Sequence, residues 1–214
     1  WGNHEDQWYT FRNSRNAYVS KGTLKITARR AVTNGKPYSS ARLTSKNKGD
    51  WKYGRIVVRA KLPKGRGTWP AIWMLPSNNK YGGWPKSGEI DIMEHVGFSP
   101  DSVFSTAHTE AYNHVKGTQR GSSIMVPGAT AGFHEYAIEW DEDEFRSYVD
   151  GKHYFTFKNE HSGSDAWPYD QPFHLLMNVA VGGGLGGRKG IDAAAFPQVM
   201  EVDYVRVYQK KEKK

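Results

Sequence analysis

The sequence predicts an all-β protein, a sandwich of jelly-roll type, and three features predict it. Apolar residues recur with a period of two along most of the chain, the mark of half-buried strands. Turn signals such as NGKP, PKGRG, YGGWPKSG and VPGATAG punctuate those runs, and clustered Gly, Pro and Asn end strands for steric reasons. No segment offers an amphipathic helix of ten or more residues. Many short strands with frequent turns are the pattern of a sandwich or barrel.

In chain order, GTLKITARR aligns Leu24, Ile26 and Ala28 on one face, and GRIVVRAKLP aligns Ile56, Val58, Ala60 and Leu62. HEYAIEW does the same with Tyr136, Ile138 and Trp140. EFRSYVDGKHYFTF places Asp150-Gly151 between two aromatic and β-branched runs, the strongest short hairpin signal. FHLLMNVAV and the closing VMEVDYVRVYQ are apolar on both sides, as expected of strands covered on two faces. The glycine run 182–187, followed by Arg188-Lys189, has its Lys misplaced for a phosphate loop and no helix after it, so a flexible loop is expected. Residues 1–209 read as one domain, with 210–214 a basic tail.

Composition narrows the function. At 37% hydrophobic and with no long apolar run, the chain lacks the roughly 20-residue stretch of a membrane span. The start, WGNHEDQWYT, has neither the charged head nor the apolar middle of a signal peptide, so any targeting segment is expected to have been removed or never to have existed. Zero cysteines exclude disulfides and thiolate metal sites. The formal charge of +8 invites nucleic acid, but the tail KKEKK holds +3 of it, leaving +5 dispersed over the body. No finger, homeodomain or RNP pattern accompanies that charge, so no nucleic-acid partner is expected.

GEIDIMEHVG, 88–97, crowds Glu89, Asp91 and Glu94 onto a β-branched run. Glu89 and Asp91 share a face; Glu94, at an odd offset, belongs on the other. One extra residue, a bulge near Ile92-Met93, restores its phase, and bulges recur beside active sites. Five extended residues span about 16 Å, so the end groups meet only if both are long and the strand bends, and both ends are Glu. The pair can then approach the roughly 5 to 5.5 Å separation of a retaining glycosidase, while mutual repulsion keeps a proton on one of them, as a general acid requires. Trp69 and Trp73, four apart in GTWPAIWMLP, share a face, and Trp84 lies five residues before Glu89; such indoles are platforms for the C–H faces of sugar rings. His108 and His114 in HTEAYNH lack the further ligands of a metal site.

GTWPAIWMLP followed by WPKSGEIDIMEHVG resembles glycoside hydrolase family 16, in its laminarinase-like endo-β-1,3-glucanase branch. WGNHEDQWYT, SARLTSKNKGDWKYGRIVVRAKLP, FHLLMNVAVGG and EVDYVRVYQ extend the resemblance from Trp1 to about Gln209. The E-x-D-x-x-E form is that of the bulged branch; lichenases and xyloglucan transferases use E-x-D-x-E, without the residue at Met93. The resemblance implies a jelly roll of two curved antiparallel sheets with an open concave cleft, cutting a polysaccharide internally with retention. It implies Glu89 as nucleophile, Glu94 as acid/base and Asp91 as the partner that tunes their protonation. It further implies Trp69, Trp73 and Trp84 along the glycone side, Asn3 and Arg42 on sugar hydroxyls there, and His108 on the neighbouring strand close to Glu94. No cofactor is implied for the chemistry; the resemblance also raises a structural calcium ion on the convex face, for which Asp203 is the candidate remaining ligand, a plain surface residue being the alternative reading. Leu185 stands where relatives carry a Trp. The expected substrate is laminarin-type β-1,3-glucan, then mixed-linkage β-1,3/1,4-glucan, cut by a secreted, cell-surface or periplasmic monomer. An anionic galactan such as agar or carrageenan is the rival substrate, and a non-catalytic carbohydrate-binding sandwich the rival class; crowded carboxylates speak against a pure binder.

Overall fold

The structure, a computed structural model, describes residues 2–211. Trp1, with which the WGN resemblance begins, and the last three residues of the basic tail lie outside it. The strands are β1 (Gln7–Tyr9), β2 (Ala17–Ser20), β3 (Thr23–Thr33), β4 (Lys36–Ser40), β5 (Arg42–Thr44), β6 (Asp50–Trp51), β7 (Gly54–Lys61) and β8 (Thr68–Pro76). There follow β9 (Glu89–His95), β10 (Ser102–His108), β11 (Arg120–Met125), β12 (His134–Trp140), β13 (Glu144–Val149), β14 (Lys152–Lys158), β15 (Phe173–Val181) and β16 (Gln198–Tyr208).

They form two packed sheets. The larger runs β1-β4-β3-β16-β7-β12-β13-β14, with β2 also on β3; the smaller runs β11-β10-β9-β8-β15-β5, with β6 also on β15. Strand pairing is antiparallel among the described residues except for β1 on β4, which is parallel. The core between the sheets takes the predicted faces: Ile26 and Ala28, Ile56, Val58, Ala60 and Leu62, and Tyr136, Ile138 and Trp140 are all buried. Each of the Ile, Val and Leu side chains among them contributes about 1.5–3 kcal/mol by leaving water. The hairpin turns at Asp150 (φ 49°) and Gly151 (φ 77°), two left-handed residues whose twist matches that of the paired strands.

The smaller sheet carries the functional face. On β15 all nine residues are buried, and for two reasons: Phe173, Leu175, Met177, Val179 and Val181 enter the core, whereas His174, Leu176, Asn178 and Ala180 line a cleft on the other side. On β8, Ile72 and Met74 face the core, and Trp69, Ala71, Trp73 and Leu75 the cleft.

Two expectations are corrected. The closing strand is covered on one face only: Met200 and Val202 are buried and Val207 packs on the core, but Arg206 and Tyr208 are exposed, because the outer face of the larger sheet meets solvent; β16 bulges at Asp203. The glycine run is no loose loop, since Gly183–Gly186 form a single helical turn, α1, closed by Gly187 N–H to the Gly183 carbonyl at 3.1 Å.

The bulge lies where the acid spacing requires it. Against β8, Met93 pairs with Ile72 and Asp91 with Trp73, so Ile92 has no partner. Against β10, Glu94 pairs with Phe104 and Asp91 with Thr106, leaving Ser105 alone opposite Ile92 and Met93. The Ser105 hydroxyl donates to the Asp91 carbonyl at 2.6 Å, satisfying an acceptor that the broken ladder releases. Ile92 and Met93 both enter the core, 1% and 0% exposed, which consecutive residues of a regular strand cannot do. Ile92→Ala and Met93→Ala should therefore each destabilise by about 2–5 kcal/mol in urea unfolding; a near-neutral effect at either position would mean that it faces outward.

Candidate active site

With Ile92 and Met93 turned inward, Glu89, Asp91 and Glu94 share the cleft face. Asp91 is 3% and Glu94 9% exposed, and Glu89 is half-buried. Each glutamate accepts an indole N–H: Trp69 Nε1 donates to Glu94 Oε1 at 2.8 Å, and Trp84 Nε1 to Glu89 Oε2 at 2.7 Å. Glu89 and Asp91 are hydrogen-bonded to each other. His108 Nε2 stands 3.3 Å from Asp91 Oδ2. His108 is thus on the neighbouring strand as expected, in register with Glu89, but its close partner is the central Asp91 rather than Glu94.

Burial sets the proton inventory. It pushes the Glu89 carboxyl up to about 8, with the charge of Asp91 adding to the effect and His108 and the Trp84 N–H opposing it. Asp91 is raised well above the usual carboxylate range, first by burial and then by Glu94. Glu94 is raised to about 7 by burial, against the Trp69 N–H and His108 and with the charge of Glu89. Near neutral pH the three acids therefore do not all carry charge, and protons are held among them.

The triad lies at the junction of two spaces. One, about 680 Å³, holds Tyr9, Arg42, Trp73, Trp84 and Asn178; the other, about 430 Å³, holds Phe104, Thr106, Gln119, Leu185 and Arg188. Asn3, Trp69, Glu89, Glu94 and His114 border both. In the larger space the Arg42 guanidinium stands 5.4 Å from the Tyr9 ring and 5.7 Å from the Trp73 ring. Trp73 Nε1 donates to Asn178 Oδ1 at 2.7 Å, and Asn178 Nδ2 to the Tyr9 hydroxyl at 3.0 Å. The Asn3 carbonyl accepts Gly184 N–H at 2.9 Å, which joins the amino-terminal segment to α1. At Gly186 an added Cβ would stand 2.8 Å from Trp69 Cβ, so this glycine lets α1 close on the indole. The structure thus brings together all nine residues expected at the site. Tyr9, Asn178 and Thr106 were missed: each sits on an ordinary-looking strand, and the alternation of FHLLMNVAV, with Asn178 on the polar phase, was the one available signal.

Metal chemistry has one geometric candidate among the described residues: ligand atoms of Glu89, Asp91 and His108 lie within 4.8 Å of one another. A metal there would have to displace the protons held among these carboxyls. Asp203, the candidate calcium ligand, is ion-paired with Arg59 through Oδ2.

Comparison with known proteins agrees with this geometry. Residues 4–206 match the model of Glycosyl hydrolases family 16. A β-glucanase of Rhodothermus marinus is 56% identical over 98% of this chain and 76% of its own length. The X-ray structure of the laminarinase from Rhodothermus marinus superposes with a TM-score of 0.96 at 56% identity, covering 98% of this chain and 86% of the other. SCLam, a non-specific endo-β-1,3(4)-glucanase from family GH16, superposes at 0.94 with 47% identity over 99% and 80% of the two chains.

The raised acids make stability fall with pH. Between the ordinary value of 4.5 and the folded values of about 7 for Glu94 and about 8 for Glu89, the folded chain keeps protons that the unfolded chain has released, so the unfolding free energy declines as pH rises. Glu94→Gln removes one such group. Its unfolding midpoint should gain on the parent's as pH goes from 4.5 to 8; a difference that stays constant with pH would contradict this electrostatic picture.

Proposed function

The chain belongs to family 16 of the glycosyl hydrolases, and from that premise we infer an endo-β-1,3-glucanase that takes mixed-linkage β-1,3/1,4-glucan as a second substrate. The observation that carries the reading is the acid triad at the junction of two open spaces. A polymer can lie across it with sugars on both sides of the cut, which is what endo-cleavage demands. Trp69, Trp73 and Trp84 offer ring faces to the glycone, with Arg42 and Asn3 in reach of its hydroxyls. Trp69 and Trp84 directly on the triad favour a glucan; Arg42, Lys46 and Arg188 farther along the two spaces make a sulfated galactan the substrate to test against it.

The roles are those that the E-x-D-x-x-E pattern implies; in the free site Glu89 is raised further than Glu94, so the productive state is the one in which the shared protons lie on Glu94 and Asp91 and leave Glu89 ionised. Glu94, protonated, gives its proton to the glycosidic oxygen as the C–O bond breaks, while the Glu89 carboxylate attacks the anomeric carbon and forms a glycosyl ester. Glu94, now a carboxylate, takes a proton from water, whose oxygen displaces Glu89 and restores the original configuration. Asp91, bonded to Glu89 and facing His108, keeps a proton available to the pair as charge moves between the glutamates. This chemistry needs no metal; a calcium ion, if bound, would act on the fold. No helix among the described residues is long and apolar enough to cross a membrane. An extracellular monomer suits a substrate too large to import.

Laminarin, mixed-linkage glucan, agar and carrageenan should be compared by reducing-sugar release. Activity is expected on the first two, the β-anomer should appear first by proton NMR, and chelation should leave the rate unchanged. Glu94→Ala should lose polysaccharide cleavage, keep glycosylation by an activated aryl glycoside and give a β-glycosyl azide with added azide, whereas Glu89→Ala should give the α-azide. An α-anomer released first by the parent would mean inversion and overturn both roles. Trp73→Ala should raise KM by a factor equivalent to about 1–3 kcal/mol, the scale of other aromatic stacking platforms.

A further inference from the structure

HTEAYNH contains a second histidine that the reaction above does not use. After β10 the chain turns through 109–118 before β11, and this turn is bonded to itself around Asn113, which is 1% exposed. Asn113 Nδ2 donates to the Thr109 and Glu110 carbonyls at 3.0 and 3.1 Å, and Asn113 Oδ1 accepts Lys116 N–H at 3.1 Å. Thr118 closes the turn by donating N–H to the Asn113 carbonyl at 3.0 Å and Oγ1–H to the Ala111 carbonyl at 2.8 Å. A turn whose polar groups satisfy one another holds its shape, and at its tip it presents His114 to both halves of the cleft.

The imidazole meets two rings there. Its centroid is 5.0 Å from Trp84, tilted by 38°, and 5.2 Å from His108, edge-on at 90°; Trp84 and His108 are 6.1 Å apart. Trp84 is 40% exposed and comes from the connection between β8 and β9, with no strand ladder to fix it. Yet its N–H makes the 2.7 Å bond to Glu89. An exposed indole keeps such a bond only if its ring is held, because its rotamers otherwise compete with water for the same donor.

We propose that His114 is a positioning residue for the nucleophile: its ring packs on Trp84 and so keeps the indole N–H on Glu89. The inference rests on the glucanase reading of the triad. Burial, and then His108, lower the His114 pKa, so at neutral pH the ring on the indole is uncharged. The donor from Trp84 favours the ionised form of Glu89 and orients it toward the anomeric carbon. The residue acts through shape and contact area, and its nitrogens have no part in the step.

The test isolates glycosylation. With a dinitrophenyl β-glucan oligosaccharide, whose leaving group departs without an acid, the burst of dinitrophenolate reports attack by Glu89 alone. His114→Ala should slow that burst about 10- to 100-fold, the loss that follows when a reacting group is misplaced by about 1 Å, at an unfolding midpoint close to the parent's. His114→Phe, which keeps a ring and removes both nitrogens, should restore most of the rate; if the Ala variant does not fold, His114→Asn takes its place as the ringless form. A parent rate in the ringless variant, or a Phe variant as slow as the ringless one, overturns the proposal while laminarin cleavage by the parent stands. A parent inactive on every β-glucan overturns the glucanase reading and the proposal with it.

Discussion

One extra residue in β9 is the constraint on which the site depends. A strand alternates its side chains without exception, and E-x-D-x-x-E violates that alternation between its second and third acids. The break in register at Ile92 resolves the conflict in one step, sending two consecutive apolar residues into the core and the third carboxyl into the cleft. The surroundings answer to that break. Ser105, the residue left opposite it, is buried, reaches the Asp91 carbonyl and stands 2.7 Å from the hydroxyl of Ser147 on the other sheet. The catalytic strand is therefore braced from beneath by polar contacts that cross the sandwich.

Bringing three carboxyls together in a half-enclosed site opposes folding. Burial disfavours their charged forms, and the raised pKa values of Glu89, Asp91 and Glu94 record that cost. Two indole donors lower it, one on each glutamate, and His108 lowers it further from beside Asp91. The same tryptophans present ring faces to the cleft, so the groups that make the acids tolerable also make the walls apolar. Stability for the whole comes from the continuous core of both sheets, which is far from the acids in chemistry though only one side chain away along β9.

Much of this was legible in the sequence because alternation is a local signal. The faces of β3, β7 and β12, the Asp150-Gly151 turn and the need for a bulge all follow from spacing within ten residues or so. β16 was misread because VMEVDYVRVYQ looks like core from composition, and only the sheet's position shows that the face bearing Arg206 and Tyr208 meets water. Proximity across the chain was equally hidden. Nothing local tells that Asn178 will meet Trp73 and Tyr9, that His108 will settle on Asp91, or that the glycine run will wind into a turn under Trp69. Of these, only the tryptophans and the acids announced themselves, by being costly residues in unusual concentration.

The wall of the cleft joins segments that lie far apart in the sequence. Asn178 meets Tyr9 across 169 residues, and Val181 N–H is held at 2.7 Å by Gln7 Oε1 across 174. Loop-closure entropy must be overcome before such contacts form, so topologies of this kind fold slowly. During synthesis the acid triad emerges early, but the strand that completes its groove comes near the end of the domain. A ribosome-bound chain that stops short of β15 carries all three carboxyls of the triad and lacks the strand that walls their groove. Competence therefore arrives late and all at once, when the amino-terminal segment closes over a strand made more than a hundred residues after it.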